Sequence, residues 1–310
     1  MPLSARQLYL TCAFTGLSLM GFGAAAAPRT MQIDTIDVDR FYAVFDAAKG
    51  HPTAEALQKD YIDAGSDGLK QFAGLRNLTG ATLAAAIDKK PAVFTTAKDC
   101  ASALPKVKAR VEHALQTLGE LYPQASFSPV TVLIGRGNTG GTTSASSVLI
   151  GLETICAVTY MQTDVEDRFV HLIAHEYAHV QQPGAQVEDP KATVLLTALI
   201  EGGAEFVAEL TSGSVSNIQL QHWMKGREAQ FETAFVADMD KSIADTEWVY
   251  RGPGTPEKPG DLGYWVGYRI TKSYYQHAKD KKAALAEIIN VSDAHAFLAK
   301  SGWTPGMTLK

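Results

Sequence analysis

The sequence predicts an α+β fold that is mostly helical, with a small β-sheet or hairpin placed before two central helices. Three observations predict it. Apolar residues recur at helical spacing before residue 122, two short β-branched segments follow, and helical spacing returns after residue 163. The 310 residues are 46% hydrophobic, which is enough to bury a sizeable core.

The first part of the chain is predicted to contribute amphipathic helices. Apolar residues share one helical face over 39–48, and the glycine and proline of 50–52 end that helix. A second helix is predicted to include 61–72, with Thr53 as a plausible cap. Leucine and valine share a face over 105–121, which predicts a third helix.

Two β-branched segments predict the strands, over 130–134 and 147–150. The loop that joins them formally matches G-x-G-x-x-G over 135–140. A dinucleotide site requires a helix to begin at the last glycine, but here the loop leads to another strand. We therefore predict a glycine-rich hairpin rather than a nucleotide site.

Two central helices follow the strands. The first is predicted over 169–182, with Asp164 or Asp167 as its cap, and the second over 192–211. Gly213 is expected to end the second helix, because glycine is favoured just after a helix C-terminus.

Residues 1–26 are predicted to be an export signal that is removed. Arg6 supplies positive charge, an apolar run covers 8–22, and the alanines of 24–27 are the small residues that a signal peptidase requires. An uncleaved membrane anchor is the alternative, but the run is shorter than the ~20 residues that cross a bilayer. The protein is therefore expected to be periplasmic or secreted.

The mature chain, 27–310, is predicted to be one domain without a membrane span, and its helical C-terminal part begins at about residue 214. Cys100 and Cys156 remain after removal of the signal. In an oxidising compartment they form one disulfide or stay separate thiols. The net charge is −5 and no block of lysine and arginine is present, so we expect no nucleic-acid partner.

Residues 175–179 read His-Glu-Tyr-Ala-His, the H-E-x-x-H motif, on the first central helix. Histidines four residues apart lie on one helix face, so His175 and His179 can bind one metal ion. Glu176 lies beside them as the general base. His171 also precedes His175 by four residues, but Leu172 stands where the base is needed. His171 is therefore predicted to be a polar neighbour.

Glu201 on the second central helix is predicted to be the third ligand of a zinc ion, leaving one coordination position open. Gly202 and Gly203 are expected where the two helices approach closely at the metal. Glu205 lies one turn further along. It is predicted to accept a hydrogen bond from a ligand histidine, or to be the ligand in place of Glu201.

Together these residues resemble the gluzincin clan of metallopeptidases. The chain is more closely similar to a bacterial family of zinc-dependent proteases related to gliding-motility lipoprotein B-like proteins. Further segments that carry this similarity are 37–41, 61–69, 201–210, 263–268 and 297–302. The resemblance implies a zincin-like catalytic domain with two metal-bearing helices.

The resemblance also implies a hydroxyl or imidazole that stabilises the oxyanion of the reaction, and Tyr264 is the candidate. Aromatic packing is the alternative role for Tyr264. His222 and His277 are weaker candidates. The strand at 147–150 is expected to run beside the cleft and pair with an extended peptide.

The sequence therefore predicts an exported zinc peptidase that acts on a peptide or protein. Two alternatives stay open. One is a zinc hydrolase of a non-peptide amide or ester. The other is an inactive envelope binding protein that keeps a zincin fold, although a purely structural site has no use for Glu176.

Overall fold

The computed structural model describes residues 33–144, 146–158, 162–187, 189–215 and 218–309. The predicted export signal lies outside these residues and stays a prediction. Among the described residues, the helices are either too short or too polar for a transmembrane span.

The described residues form a mostly helical α+β fold, as predicted. The strands are β1 (Ile33–Asp34), β2 (Val130–Leu133), β3 (Gly141–Thr143) and β4 (Val148–Gly151). The helices between β1 and β2 are α1 (Ile36–Ala47), α2 (Ala54–Ala56), a π-helix (Leu57–Asp63), α3 (Asp67–Arg76), α4 (Gly80–Lys89), α5 (Pro91–Cys100) and α6 (Leu104–Leu121). The later helices are α7 (Leu152–Ala157), α8 (Val165–Gln181), α9 (Val194–Ser212), α10 (Ile218–Met224), α11 (Glu228–Asp238), α12 (Leu262–His277), α13 (Lys281–Ile289) and α14 (Ala294–Lys300).

The strands form one sheet in the order β1-β2-β4-β3. β1, β2 and β4 are parallel, and β3 is antiparallel to β4. β2 and β4 are buried along their whole length, because α1 and α3 contact β2 while α8 contacts β4. Continuous apolar strands are typical of a sheet covered on both faces.

The predicted hairpin between 130–134 and 147–150 is wrong, because these two strands are parallel. The hairpin joins β3 to β4 instead, with Gly141 opposite Ile150 and Thr143 opposite Val148. β3 lies in sequence that we expected to be loop. β4 is therefore a central strand without a free edge, and β3 is the edge strand that packs against α8.

The predicted helix over 61–72 is divided in two. The π-helix ends at Asp63, and α3 begins at Asp67 after Ser66. The Ser66 hydroxyl accepts a hydrogen bond from the Leu69 backbone amide at 3.2 Å, which caps α3. The amide of Ser66 donates to the buried Asp37 at 3.1 Å, so a contact distant in sequence fixes the break.

The two central helices agree with prediction to within a few residues. Asp164 caps α8, where its carboxylate accepts from the Asp167 amide at 2.9 Å. Thr193 caps α9, and Gly213 ends it with a left-handed φ of 71°. α8 and α9 pack against each other, and α12 also packs against α9.

Cys100 at the end of α5 and Cys156 in α7 form a disulfide with their Cα atoms 6.1 Å apart. The bond links the N-terminal helices to the segment after the sheet. Of the two states that the sequence left open, the structure contains the paired one.

The close helix approach at the glycines of α9 involves a different helix from the one expected. A Cβ placed on Gly202 would lie 2.1 Å from the Tyr268 backbone nitrogen of α12. A Cβ on Gly203 would have its nearest contact at 3.6 Å, an ordinary distance. The close approach therefore joins α9 to α12, not the two helices of the H-E-x-x-H site.

We expect Gly202→Ala to destabilise the protein by ~2 kcal/mol or more, because backbone atoms of α12 cannot move aside locally. Gly203→Ala is the matched control and should be neutral or stabilising by up to ~1 kcal/mol, since alanine favours helix. Chemical denaturation of both variants measures the difference. Equal stability of the two variants would contradict the close packing.

Candidate metal centre and active site

Three ligand atoms meet where α8 faces α9. His179 Nε2 lies 3.0 Å from His175 Nε2 and 3.2 Å from Glu201 Oε2. His175 Nε2 lies 3.5 Å from Glu201 Oε2. All three residues are less than a tenth exposed. The structure thus brings together the three predicted ligands.

This triangle has the size of one face of a zinc tetrahedron. Zinc binds nitrogen and oxygen ligands at about 2.0–2.2 Å, which separates ligand atoms in a tetrahedron by about 3.3–3.6 Å. The three observed separations of 3.0, 3.2 and 3.5 Å are close to these values. Two imidazoles and one carboxylate are also a usual donor set for catalytic zinc. The residues therefore fit the ion that the motif implies.

Gln182 fixes the orientation of His179, a role that the sequence analysis missed. Gln182 Nε2 donates to the Ile200 carbonyl at 2.8 Å, so its Oε1 faces His179 Nδ1 at 2.6 Å. His179 Nδ1 therefore carries the proton, and Nε2 is free to bind a metal. The spacing of three residues from His179 on one helix was a signal that could have revealed this contact.

Glu205 contacts two histidines of α8. Its Oε1 lies 3.2 Å from His175 Nδ1, although this contact lacks hydrogen-bond geometry. Its Oε2 lies 2.8 Å from His171 Nε2. His171 Nδ1 faces the Ser214 carbonyl at 2.6 Å. Glu205 thus lies against His175 and His171, and its predicted role of orienting a ligand histidine stays a prediction.

His171, His175 and Glu205 form a second group whose ligand atoms lie within 4.8 Å of one another. It corresponds to the alternative in which Glu205 replaces Glu201 as ligand. His171 Nε2 lies against Glu205 within this group, and its Nδ1 faces the Ser214 carbonyl outside it. The group around Glu201 has the better geometry, because its three ligand atoms face one another.

The cluster favours a positive charge. Burial lowers the pKa of His175, but the carboxylates of Glu205 and Glu201 outweigh burial and hold that pKa well above its usual value. Burial also lowers the pKa of His179, and Glu201 reverses the effect. Burial raises the pKa of Glu201, yet His179 and His175 hold it below its usual range. A proton on a histidine compensates part of the negative charge of these carboxylates, and a divalent cation compensates more of it.

The side chain of Glu176 extends from α8 toward the edge strand β3. It lies where two cavities adjoin. A Cβ on Gly141 of β3 would come 2.6 Å from Glu176 Oε1, so a larger residue there would displace the Glu176 side chain from this position. The cavities have volumes of about 300 and 320 Å³, and both are lined by His175, Glu176 and Tyr264. Glu176 therefore lies beside His175 and lines both cavities.

Tyr264 of α12 lies beside the ligands. Its ring is nearly parallel to that of His175, with centroids 6.5 Å apart. Burial, followed by the charge of Glu201, raises the pKa of Tyr264 well above its usual value. Its hydroxyl therefore keeps its proton and can act as a donor.

Tyr250 is a second tyrosine of the site that the sequence analysis missed. Its hydroxyl donates to Glu201 Oε1 at 2.8 Å, and its ring meets that of Tyr264 edge to face. Tyr250 has a left-handed φ of 59° in an irregular segment, and it is 46% exposed. No local sequence pattern could indicate this contact, because the segment lacks a helical or strand period.

The weaker histidine candidates are not part of this cluster. His222 is an exposed residue of α10. His277 ends α12, where its Nδ1 lies 2.9 Å from the Ser273 carbonyl. Neither of them lines the cavities around Glu176.

A family model described as "Predicted Zn-dependent protease (DUF2268)" matches residues 109–297, which is more than half of the chain. The matched region contains the sheet from β2 onward and every residue of the cluster described above. No curated protein and no solved structure matches the chain. By the family match and the donor set at its centre, the chain belongs to the DUF2268 family of predicted zinc-dependent proteases.

Proposed function

We propose that this protein is an exported zinc metallopeptidase of the gluzincin type. One observation carries the proposal: His175, His179 and Glu201 present three facing ligand atoms, and Glu176 opens beside them into a substrate cleft. A purely structural zinc site fills its fourth position with protein and needs no base. This arrangement supports hydrolysis.

The proposed reaction is the hydrolysis of a peptide bond by water. Bound zinc supplies Lewis-acid polarisation of the carbonyl and a lower pKa of water. Glu176 accepts a proton from the attacking water and delivers a proton to the departing amine. Gln182 holds His179 in the tautomer that binds metal, and Glu205 supports His175 from behind.

An extended substrate is proposed to pair with β3 rather than with β4. β3 is the edge strand of the sheet, and its residues Gly141 and Thr142 line the cavity that contains Glu176. An edge strand offers unpaired backbone groups to an incoming peptide. This arrangement would hold the peptide backbone alongside the catalytic carboxylate.

The proposal includes export of the protein from the cytoplasm. The predicted signal over residues 1–26 and the Cys100–Cys156 disulfide support export, because disulfides persist in oxidising compartments. The relation to gliding-motility lipoprotein B-like proteins rests on the sequence resemblance alone.

The test is digestion of unfolded proteins and synthetic peptides by the purified protein loaded with zinc, with products identified by mass spectrometry. A chelator should stop the digestion and added zinc should restore it. Hydrolysis of aryl esters without any peptide cleavage would favour the non-peptide alternative. Binding of peptides without any hydrolysis would favour an inactive binding protein.

We expect the two tyrosines to separate into different roles. Tyr264→Phe should lower kcat by ~10²–10³-fold with zinc affinity unchanged, because it removes a donor to the oxyanion. Tyr250→Phe should weaken zinc binding by ~10–100-fold, because its hydroxyl holds Glu201 Oε1 and directs Oε2 toward the histidines. Steady-state kinetics and chelator competition on both variants check this. The reverse pattern would exchange the two roles.

A further inference from the structure

The segment that carries Tyr250 is a loop closed at its base. It covers residues 250–261, and its two flanks are joined where the Gly263 backbone amide donates to the Trp248 carbonyl at 2.8 Å. Gly263 belongs to the first turn of α12, the helix that also carries Tyr264. The loop therefore connects the two tyrosines that lie beside the metal ligands.

Both ends of this loop have a left-handed backbone. The φ of Tyr250 is 59° and that of Asp261 is 51°. A residue with a side chain adopts this conformation at a cost in free energy, so it persists where surrounding contacts impose it. At Asp261 the contact is made by the carboxylate, whose Oδ1 accepts from the Arg251 backbone amide at 2.7 Å. Asp261 thus holds the residue that directly follows Tyr250.

The carboxylate of Asp261 is suited to this contact at neutral pH. Burial raises the pKa of Asp261 to about 6, while hydrogen bonds from the Arg251 and Gly252 backbone amides favour its ionised form. At neutral pH the group is therefore mostly ionised. An ionised carboxylate only accepts hydrogen bonds, and the backbone amides of the loop are matching donors.

We infer that Asp261 is a positioning residue for the metal centre and that it acts through Tyr250. Its bond to the Arg251 amide fixes the backbone from which the Tyr250 ring extends. The Tyr250 hydroxyl in turn donates to Glu201 Oε1 at 2.8 Å, which leaves Oε2 directed toward His179. The inference rests on the proposed zinc site, and it holds whether or not the substrate is a peptide.

Tyr250 gains from such a support because it lies near the surface. It is 46% exposed, and an exposed side chain loses rotamer freedom when it is held in one place. Its ring contacts that of Tyr264 edge to face, with the centroids 6.2 Å apart. A fixed backbone beneath Tyr250 leaves less freedom to be lost when its hydroxyl bonds to Glu201.

The test measures zinc affinity of the full chain by competition with a fluorescent chelator, so it does not depend on hydrolysis. Asp261→Gly removes the carboxylate and keeps a residue that adopts a left-handed φ readily. We expect this variant to bind zinc about tenfold more weakly than the wild type, as for the loss of other groups that orient a metal ligand. Thermal unfolding sets a temperature at which every variant is folded, and affinities are compared there.

A double variant separates positioning from a general loosening of the fold. Asp261→Gly should have little further effect on zinc affinity when Tyr250→Phe is already present, because both changes act on the same contact to Glu201. Independent effects would multiply instead. Asp280→Gly is the matched control, since the Asp280 carboxylate at the start of α13 also accepts from backbone amides, at 3.0 Å. Asp280 is not among the described residues that line the cavities around Glu176.

Each outcome decides the inference. Weaker zinc binding in Asp261→Gly, no further loss in the double variant and wild-type affinity in Asp280→Gly would support it. Wild-type affinity in Asp261→Gly, multiplied losses in the double variant, or an equal loss in Asp280→Gly would overturn it and leave the zinc site in place. A wild-type protein that binds no zinc would overturn the proposed function, and this inference with it.

Discussion

Glu176→Gln is expected to lower peptide hydrolysis by ~10²–10⁴-fold while zinc stays bound. Glutamine has the shape of glutamate and fits the space that Gly141 leaves, but it cannot accept a proton from the attacking water. The three ligand atoms of His175, His179 and Glu201 are unchanged by the substitution. Elemental analysis and single-turnover kinetics on the same sample measure both quantities.

The control for this experiment is Glu166→Gln. Glu166 lies on the same helix, α8, but its carboxylate contacts Lys106 and Arg110 away from the cleft. Its variant should keep wild-type hydrolysis. Full activity of Glu176→Gln would remove the base from the mechanism. Loss of zinc together with activity would show instead that Glu176 supports the metal.

Removing a predicted ligand should remove the metal. The wild-type protein is expected to hold about one zinc per chain, and His179→Ala and Glu201→Gln should lose it on dialysis. Each change leaves two of the three protein ligands and opens the site to water. His179→Ala also frees Gln182 Oε1 from its contact with His179 Nδ1. Elemental analysis after dialysis against a weak chelator gives the stoichiometry.

His277→Ala provides the matched control, because His277 is a histidine of α12 outside the cluster. It should retain zinc at the wild-type level. Glu205→Gln separates the two possible carboxylate ligands, since it should weaken zinc binding by ~10–100-fold rather than abolish it. Complete loss of zinc in Glu205→Gln, with retention in Glu201→Gln, would assign the third ligand to Glu205.

Local sequence signals predicted the parts of the site that lie on one element. His175, Glu176 and His179 lie on one helix, and their relative positions follow from helix geometry. The start of α8 after Asp164, one of the two candidate caps, and the end of α9 at Gly213 followed from local capping signals. The helix predicted over 61–72 was divided because Asp37, distant in sequence, binds Ser66.

The strand direction was not predictable from composition. Segments 130–134 and 147–150 are both β-branched, and such a pattern is equally compatible with a hairpin and with a parallel pair. The extra strand β3 is only three residues long and begins with glycine. Its pairing with β4 depends on the sheet and on α8, so the edge beside Glu176 emerged only in three dimensions.

The sequence by itself determined which residues form the candidate site: two histidines, a glutamate between them and a following glutamate on a second helix, because residue type and helical spacing are local properties. Only the tertiary structure decided how that site is completed. It brought Glu201 to 3.2 Å from His179, turned the Tyr250 hydroxyl onto Glu201, and placed Glu176 where two cavities adjoin. These contacts join segments distant along the chain, and packing of the whole core fixes them.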